Sequence, residues 1–246
     1  MSLLVYFAIF LSGLSGPAYA QLRAGDVAII AYNADTIDSF AWLALCDIPP
    51  NTPIHFTNSS VNNGWFRWGD HLGRAVSPGP LTWTSTNVLS AGSVVSWIAG
   101  TQKCWSTGSI SGGGMALSAE GDQIFAYTGM IVSNAGAGLP WFGDPTNATM
   151  LFGLNFANTG WDNLSGGDVN TSYVPAGLST SAHTAVSAGN WDNGYYSGIT
   201  TGKVPELLGA IDASHHWTLS ADFISPVQWP SFFLIKRHFG TLLSVE

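Results

Sequence analysis

Short apolar runs alternate with clusters of turn-forming residues along most of the chain. The runs are rich in β-branched and aromatic residues, which favours strands, and strands are predicted over residues 26–32, 40–47, 54–57, 81–84, 94–98, 123–127 and 150–156. Pro, Gly, Asn and Ser mark turns between them at residues 49–51, 77–80, 111–114 and 135–140.

One helix is predicted, over residues 204–213. Pro205 suits an early helical position, and Leu207, Leu208 and Ile211 form an apolar stripe. The pattern as a whole predicts an all-β, β-sandwich-like single domain with short strands, long loops and one short helix in the C-terminal half.

The first twenty residues have the pattern of a secretory signal peptide. An apolar run over residues 3–11 is followed by small residues that end in Ala18-Tyr19-Ala20. The alternatives are a buried N-terminal strand or a membrane anchor, but an anchor needs about 20 consecutive apolar residues and Ser12 to Pro17 end this run early. We therefore expect a signal peptide over 1–20, one secreted, extracellular domain over 21–246, and no membrane span.

Composition supports this prediction of a β-rich extracellular domain. The chain is 46% hydrophobic but only 9% charged, with 29 Gly and 11 Trp, so it lacks the charged residues that usually coat exposed helices. Its net charge of -8 with seven Lys and Arg argues against nucleic acid as a partner, because that partner requires basic clusters.

Two cysteines and four sequons fit an extracellular destination. Cys46 and Cys104 are expected to form a disulfide in an oxidising compartment; two buried thiols are the alternative. N-x-S/T sequons, which are glycosylation acceptors in a secreted eukaryotic protein, begin at Asn58, Asn147, Asn163 and Asn170.

An acidic loop between the first two predicted strands is a candidate calcium site. Asn33, Asp35 and Asp38 supply side-chain oxygens, the ligands that Ca²⁺ takes. The alternative is a turn in which these side chains cap their own backbone.

Several tryptophans lie in Gly/Asn/Asp-rich segments instead of apolar strands. An indole face beside amide and carboxylate groups matches the apolar face and hydroxyl groups of a sugar ring. The candidate ligand-binding residues are Trp65, Trp68, Trp161, Asp162, Trp191 and Asp192. The alternative is that these rings fill the core beneath long loops.

Catalytic patterns are weaker. Glu120 and Asp122 are the obvious acid/base pair for glycoside hydrolysis, although a turn explains them equally well. His215 and His216 near Asp212 and Asp222 are a candidate metal set, but adjacent side chains on a strand point to opposite faces. The sequence therefore favours a protein that is not an enzyme.

Several blocks recur in the order typical of one family. They are GDVAIIAYNAD at 25–35, SFAW at 39–42, DIP at 47–49, IHFT at 54–57, GDQIFAY at 121–127, DNGYY at 192–196 and ELLGAI at 206–211, followed by Trp217. In these blocks the chain resembles an uncharacterised secreted β domain of bacterial surface and extracellular multidomain proteins. The resemblance implies an extracellular module and carries over no catalytic residue.

These observations predict a secreted, non-catalytic binding module that recognises a glycan or another surface ligand, with calcium as a structural ion. One alternative is a secreted hydrolase acting on polysaccharide or phosphoester. Another is an adhesion or matrix protein that binds protein partners.

Overall fold

The computed structural model describes residues 20–67, 80–100, 104–133, 142–157, 160–161 and 170–236. The predicted signal peptide lies almost wholly outside these ranges, and its cleavage stays a prediction. In the described part of the chain, no helix is both long and apolar enough to cross a membrane.

Strands dominate the described chain. In order they are β1 (Val27–Asn33), β2 (Ser39–Ala44), β3 (Ile54–Thr57), β4 (Val61–Asn62), β5 (Trp65–Arg67), β6 (Leu81–Thr84), β7 (Val94–Ile98), β8 (Cys104–Trp105), β9 (Ser109–Ser111), β10 (Gln123–Ser133), β11 (Phe142–Asn155), β12 (Ala185–Ser187), β13 (Asn193–Tyr196), β14 (Thr201–Gly202), β15 (Trp217–Ser220) and β16 (Leu234–Ile235). Helix α1 spans Val204–Asp212, and short 3-10 turns span Ser214–His216 and Pro226–Gln228.

The strands form two large sheets and one small one. The first has six strands in the antiparallel order β15-β13-β1-β2-β7-β8. The second has the order β4-β5-β11-β10-β3-β6-β9, with β12 parallel to β11. Strands β14 and β16 form a separate parallel pair.

Aromatic rings of the two large sheets meet in the main core. Phe40 on β2 packs on Phe56 of β3 with ring centroids 5.0 Å apart, and Trp42 packs on Trp83 of β6 at 5.1 Å. Because side chains two residues apart on a strand share a face, Phe40 and Trp42 both point to the second sheet. The architecture is therefore the expected sandwich.

A second, smaller core covers the outer face of the second sheet. Phe125 and Tyr127 on β10 alternate with core residues Ile124 and Ala126, so they point away from the first sheet. They pack with Leu178, Ala185 and other apolar residues of the chain that follows residue 170. This third layer explains why strands of the second sheet are apolar on both faces.

Helix α1 adds its own apolar stripe to the main core. Leu207 and Ile211 are fully buried, and the indole Nε1–H of Trp217 donates to the Ile211 carbonyl at 2.8 Å. The predicted helix over 204–213 is thus confirmed with one residue fewer at its end.

The expected disulfide is not formed, because strand register separates the two cysteines. Cys104 pairs with Ile98, which pairs with Ser39 at the start of β2, whereas Cys46 follows the other end of β2. Seven residues of extended chain span roughly 20 Å, and a bridge needs Cα atoms within about 7 Å. Cys46 is a free thiol, and the predicted bridge is wrong.

Candidate functional site

A cleft of about 500 Å³ opens beside Trp65. Trp65 of β5 lines it together with residues of the neighbouring strand β11. Its lining residues are Gly64, Trp65, Asp144, Pro145, Thr146, Ala148, Met150, Ala176 and Gly177.

A tight hairpin fixes the position of the Trp65 ring. Asn62 pairs with Trp65, and the two residues between them, Asn63 and Gly64, both have positive φ, 50° and 81°. Asn-Gly with φ above zero at both positions is the preferred two-residue hairpin turn. The next residue, Phe66, is buried, and its ring centroid lies 5.5 Å from that of Phe125. Because side chains alternate along a strand, the half-buried Trp65 points to the other face, where it lines the cleft.

Asp144 supplies an oriented negative charge to the same cleft. Its Oδ1 accepts hydrogen bonds from the hydroxyl of Thr146 at 2.5 Å and from the backbone N–H of Thr146 at 2.8 Å. These two bonds, the hydroxyl bond first, lower the pKa of the Asp144 carboxyl below its ordinary value. The cleft thus combines an indole face with a carboxylate that stays ionised.

Trp161 has a packing role. Its ring lies 5.7 Å from that of Phe125, and it joins the second core. The role of Trp161 as a ligand-binding residue stays a prediction, and this packing fits the alternative of a ring that fills the core beneath a loop. Its neighbour Asp162 and the candidate Trp68 lie outside the described residues.

Trp191 and Asp192 lie at a different place, beside the acidic loop. The carbonyl of Trp191 accepts from the Tyr32 hydroxyl at 3.1 Å, and the carbonyl of Asp192 accepts from Ala34 N–H at 2.9 Å. The indole of Trp191 is 47% exposed and does not line the Trp65 cleft. The structure thus brings Trp191 next to the loop that carries Asp35, a proximity that the sequence did not reveal.

The Asn33 side chain is not available to calcium. Its Nδ2 donates to Ser39 Oγ at 3.0 Å and to the Ile224 carbonyl at 2.9 Å, while its Oδ1 accepts from Ile224 N–H at 3.1 Å. Asp35 and Asp38 remain as carboxylates of the loop. Burial raises the pKa of the Asp38 carboxyl, and a hydrogen bond from the Leu117 backbone offsets part of this rise. Among the described residues, no group of three His, Cys, Asp or Glu side chains could hold a metal.

Asp122 belongs to a buried polar network and cannot work with Glu120 as an acid/base pair. It is 2% exposed, whereas Glu120 is exposed. Its carboxylate accepts from Asn58 Nδ2 at 2.9 Å, from Ser118 N–H at 3.1 Å, and from Gln123 N–H and Nε2 at 2.8 and 2.7 Å. The carboxylate is thus hydrogen-bonded within the fold, away from any substrate.

The same network corrects one glycosylation prediction. Asn58 is 5% exposed, and its Nδ2 also donates to the Ala116 carbonyl, so a glycan on this nitrogen is incompatible with the packing. Asn147 is exposed and Asn170 half-buried, whereas Asn163 lies outside the described residues.

Sequence reasoning missed two pairs of polar residues. Asp144 with Thr146 could have been found from the Asp-Pro-Thr spacing, which is typical of a turn closed by an aspartate. His183 bonds Asp212 at 2.7 Å, and no local signal connects these residues, since they are 29 positions apart. The sequence instead placed Asp212 with His215 and His216.

Comparison with known proteins gives no relative: no family model, curated protein or solved structure matches the sequence. The resemblance to a secreted bacterial β domain stays a prediction.

Proposed function

We propose that this protein is a secreted, non-catalytic module that binds an extracellular glycan in the Trp65 cleft. The observation that carries the proposal is the meeting of Trp65 and Asp144 in one concave site. The N-terminal pattern supports secretion.

The cleft matches the chemistry of a sugar ring. The half-buried indole of Trp65 offers a flat apolar surface for the C–H face of the ring. Asp144 and the hydroxyl of Thr146 offer polar contacts to its hydroxyl groups. A volume of about 500 Å³ is within the range of small-molecule sites.

The lining of the cleft favours binding over hydrolysis, because glycoside cleavage uses two carboxyl groups and Asp144 is the one carboxylate among the described lining residues. A general acid for glycoside cleavage needs a carboxyl whose pKa is raised so that it holds a proton. The hydrogen bonds from Thr146 lower the pKa of Asp144 instead. An ionised carboxylate suits an acceptor of hydroxyl hydrogen bonds, which is the role proposed for it.

The proposal is tested by incubating the purified protein with a panel of insoluble polysaccharides and measuring protein depletion and released sugar together. Trp65→Ala removes the proposed ring platform. Trp191→Ala is the matched control, because it removes an exposed indole outside the cleft. Asp144→Asn keeps the shape of the side chain and removes its charge.

We expect the wild type to be depleted without release of sugar. Binding should be lost in Trp65→Ala and kept in Trp191→Ala. In Asp144→Asn the affinity should fall about tenfold or more, because a charge-assisted hydrogen bond is lost. Sugar release would overturn the non-catalytic proposal in favour of a hydrolase. Depletion that depends on Trp191 would move the site, and the absence of both signals would favour a protein partner.

A further inference from the structure

A second cleft, of about 620 Å³, lies where the residues that follow β2 meet the start of α1. Leu45, Val204, Pro205 and Ile235 give it apolar walls. Lys203 and Lys236 stand at the same cleft. Two of the seven basic residues of an acidic chain therefore share one mostly apolar site.

Strand pairing places the two lysines next to each other. Gly202 pairs in parallel with Ile235, and Lys236 N–H donates to the Gly202 carbonyl at 2.8 Å. Lys203 and Lys236 are the next residues of the two strands, and both are exposed. Like charges on neighbouring strands repel, and an anion that lies between them offsets this repulsion.

Two carboxylates lie nearby, Glu206 and Asp47, and Asp47 lines the same cleft. Glu206 accepts from the backbone N–H of Lys203 at 2.9 Å, and Asp47 accepts from Ala91 N–H at 2.9 Å. Within the described part of the chain, Arg23 pairs with Asp26 and His183 is hydrogen-bonded to Asp212, and neither contact includes Lys203 or Lys236.

Cys46 acts in this cleft as a neutral wall. Burial, followed by the charges of Asp26 and Asp47, raises the pKa of its thiol to about 12. A protonated thiol packs as a small apolar group and does not react as a nucleophile.

We propose that this cleft binds a small amphipathic anion, a carboxylate that carries a hydrocarbon chain. The carboxylate lies between the ammonium groups of Lys203 and Lys236, and the chain lies on Leu45, Val204 and Ile235. The site does not depend on the proposed glycan cleft, since the two share no lining residue.

The experiment is isothermal titration of the purified protein with octanoate, 1-octanol and acetate. We expect octanoate to bind, octanol to bind at least about tenfold more weakly because it lacks the charge-assisted contacts, and acetate to give no measurable binding because it lacks the chain. Equal binding of octanoate and octanol, equal binding of octanoate and acetate, or no binding of octanoate would each overturn the proposal.

Variants locate the site. The double variant Lys203→Gln/Lys236→Gln is expected to weaken octanoate binding at least about tenfold. Arg67→Gln, which removes a positive charge on β5 outside this cleft, is expected to leave octanoate binding unchanged. Unchanged binding in the double variant contradicts the proposal. Ala91→Phe, which fills the cleft without removing a charge, is expected to abolish octanoate binding, so the location is testable even where the double variant unfolds.

Discussion

Asn33 and Ile224 exchange two hydrogen bonds across 191 residues of sequence: Asn33 Nδ2 donates to the Ile224 carbonyl at 2.9 Å, and Ile224 N–H donates to Asn33 Oδ1 at 3.1 Å. Both residues are buried. The side-chain amide of Asn33 thus pairs with the backbone of Ile224 as a neighbouring strand would, and it attaches the C-terminal part of the chain to β1.

Replacement of Asn33 by alanine is expected to lower the free energy of unfolding by about 2–3 kcal/mol, because it leaves the buried Ile224 N–H and carbonyl without partners. The loss is expected to be the same in calcium and in EDTA. Urea denaturation in both conditions measures it, with Asp35→Asn as a control that removes a charge from the loop. A loss confined to the calcium-loaded protein would restore Asn33 as a calcium ligand.

Cys46 is expected to be unreactive in the native protein and unpaired with Cys104. With its pKa raised to about 12, the half-buried thiol has very little thiolate at neutral pH. A thiol-specific reagent should label Cys46 slowly in buffer and rapidly in denaturant. Mass spectrometry after alkylation under denaturing, non-reducing conditions should find Cys46 modified; an unmodified Cys46–Cys104 linked peptide would contradict the strand register.

Expression in a glycosylating eukaryotic host is expected to leave Asn58 unmodified. Its Nδ2 is buried and donates to Asp122, whereas Asn147 is exposed on β11 and is sterically open to a glycan. Peptide mapping of the folded, secreted protein measures the occupancy of each sequon. A folded population that carries a glycan on Asn58 would show that the buried network of Asp122 is not formed.

Stability should fall on mild acidification partly because of His55. Its ring is half-buried, bonded to Thr82 at 2.8 Å and 5.1 Å from the Tyr127 ring, and burial lowers its pKa below 6.5. The folded state therefore binds a proton less readily than the unfolded state. The contribution of neutral His55 to the free energy of unfolding is complete above about pH 6.5 and is lost as the pH falls below that value.

Urea denaturation at about pH 7.5 and about pH 5 tests this sign by comparing the wild type with His55→Gln, which cannot titrate in this range. We expect the wild type to lose more stability than the variant between the two pH values. A larger loss in the variant would mean that the folded protein favours charged His55.

Local pattern predicted much of the sandwich, because the elements that it found are those whose apolar positions face a core. Ile54–Thr57, Leu81–Thr84 and Val94–Ile98 are strands at the predicted bounds. β13 and β15 were missed, since Gly194 and polar residues interrupt their apolar alternation. Predicted strands at 123–127 and 150–156 are parts of a long β10–β11 hairpin, whose polar half gives no periodic signal.

The candidate site was only partly predictable for a related reason. Trp65 stood out because an indole in a polar, glycine-containing segment is unusual, and Asn63-Gly64 marks its hairpin. Its partner Asp144 is remote in sequence, and only the pairing of β5 with β11 brings the two together. Trp161 has the same local composition, yet long-range packing on Phe125 gives it a different role.

The central claim, that a glycan stacks on Trp65, is tested most directly by the indole N–H signals of a ¹H–¹⁵N correlation spectrum. The signals are assigned by single Trp→Phe variants, and an oligosaccharide of the polysaccharide that depletes the protein is then added. The account predicts that the Trp65 signal shifts in a saturable way while those of Trp161 and Trp191 stay in place. Saturable shifts at Trp191 with none at Trp65 would contradict it.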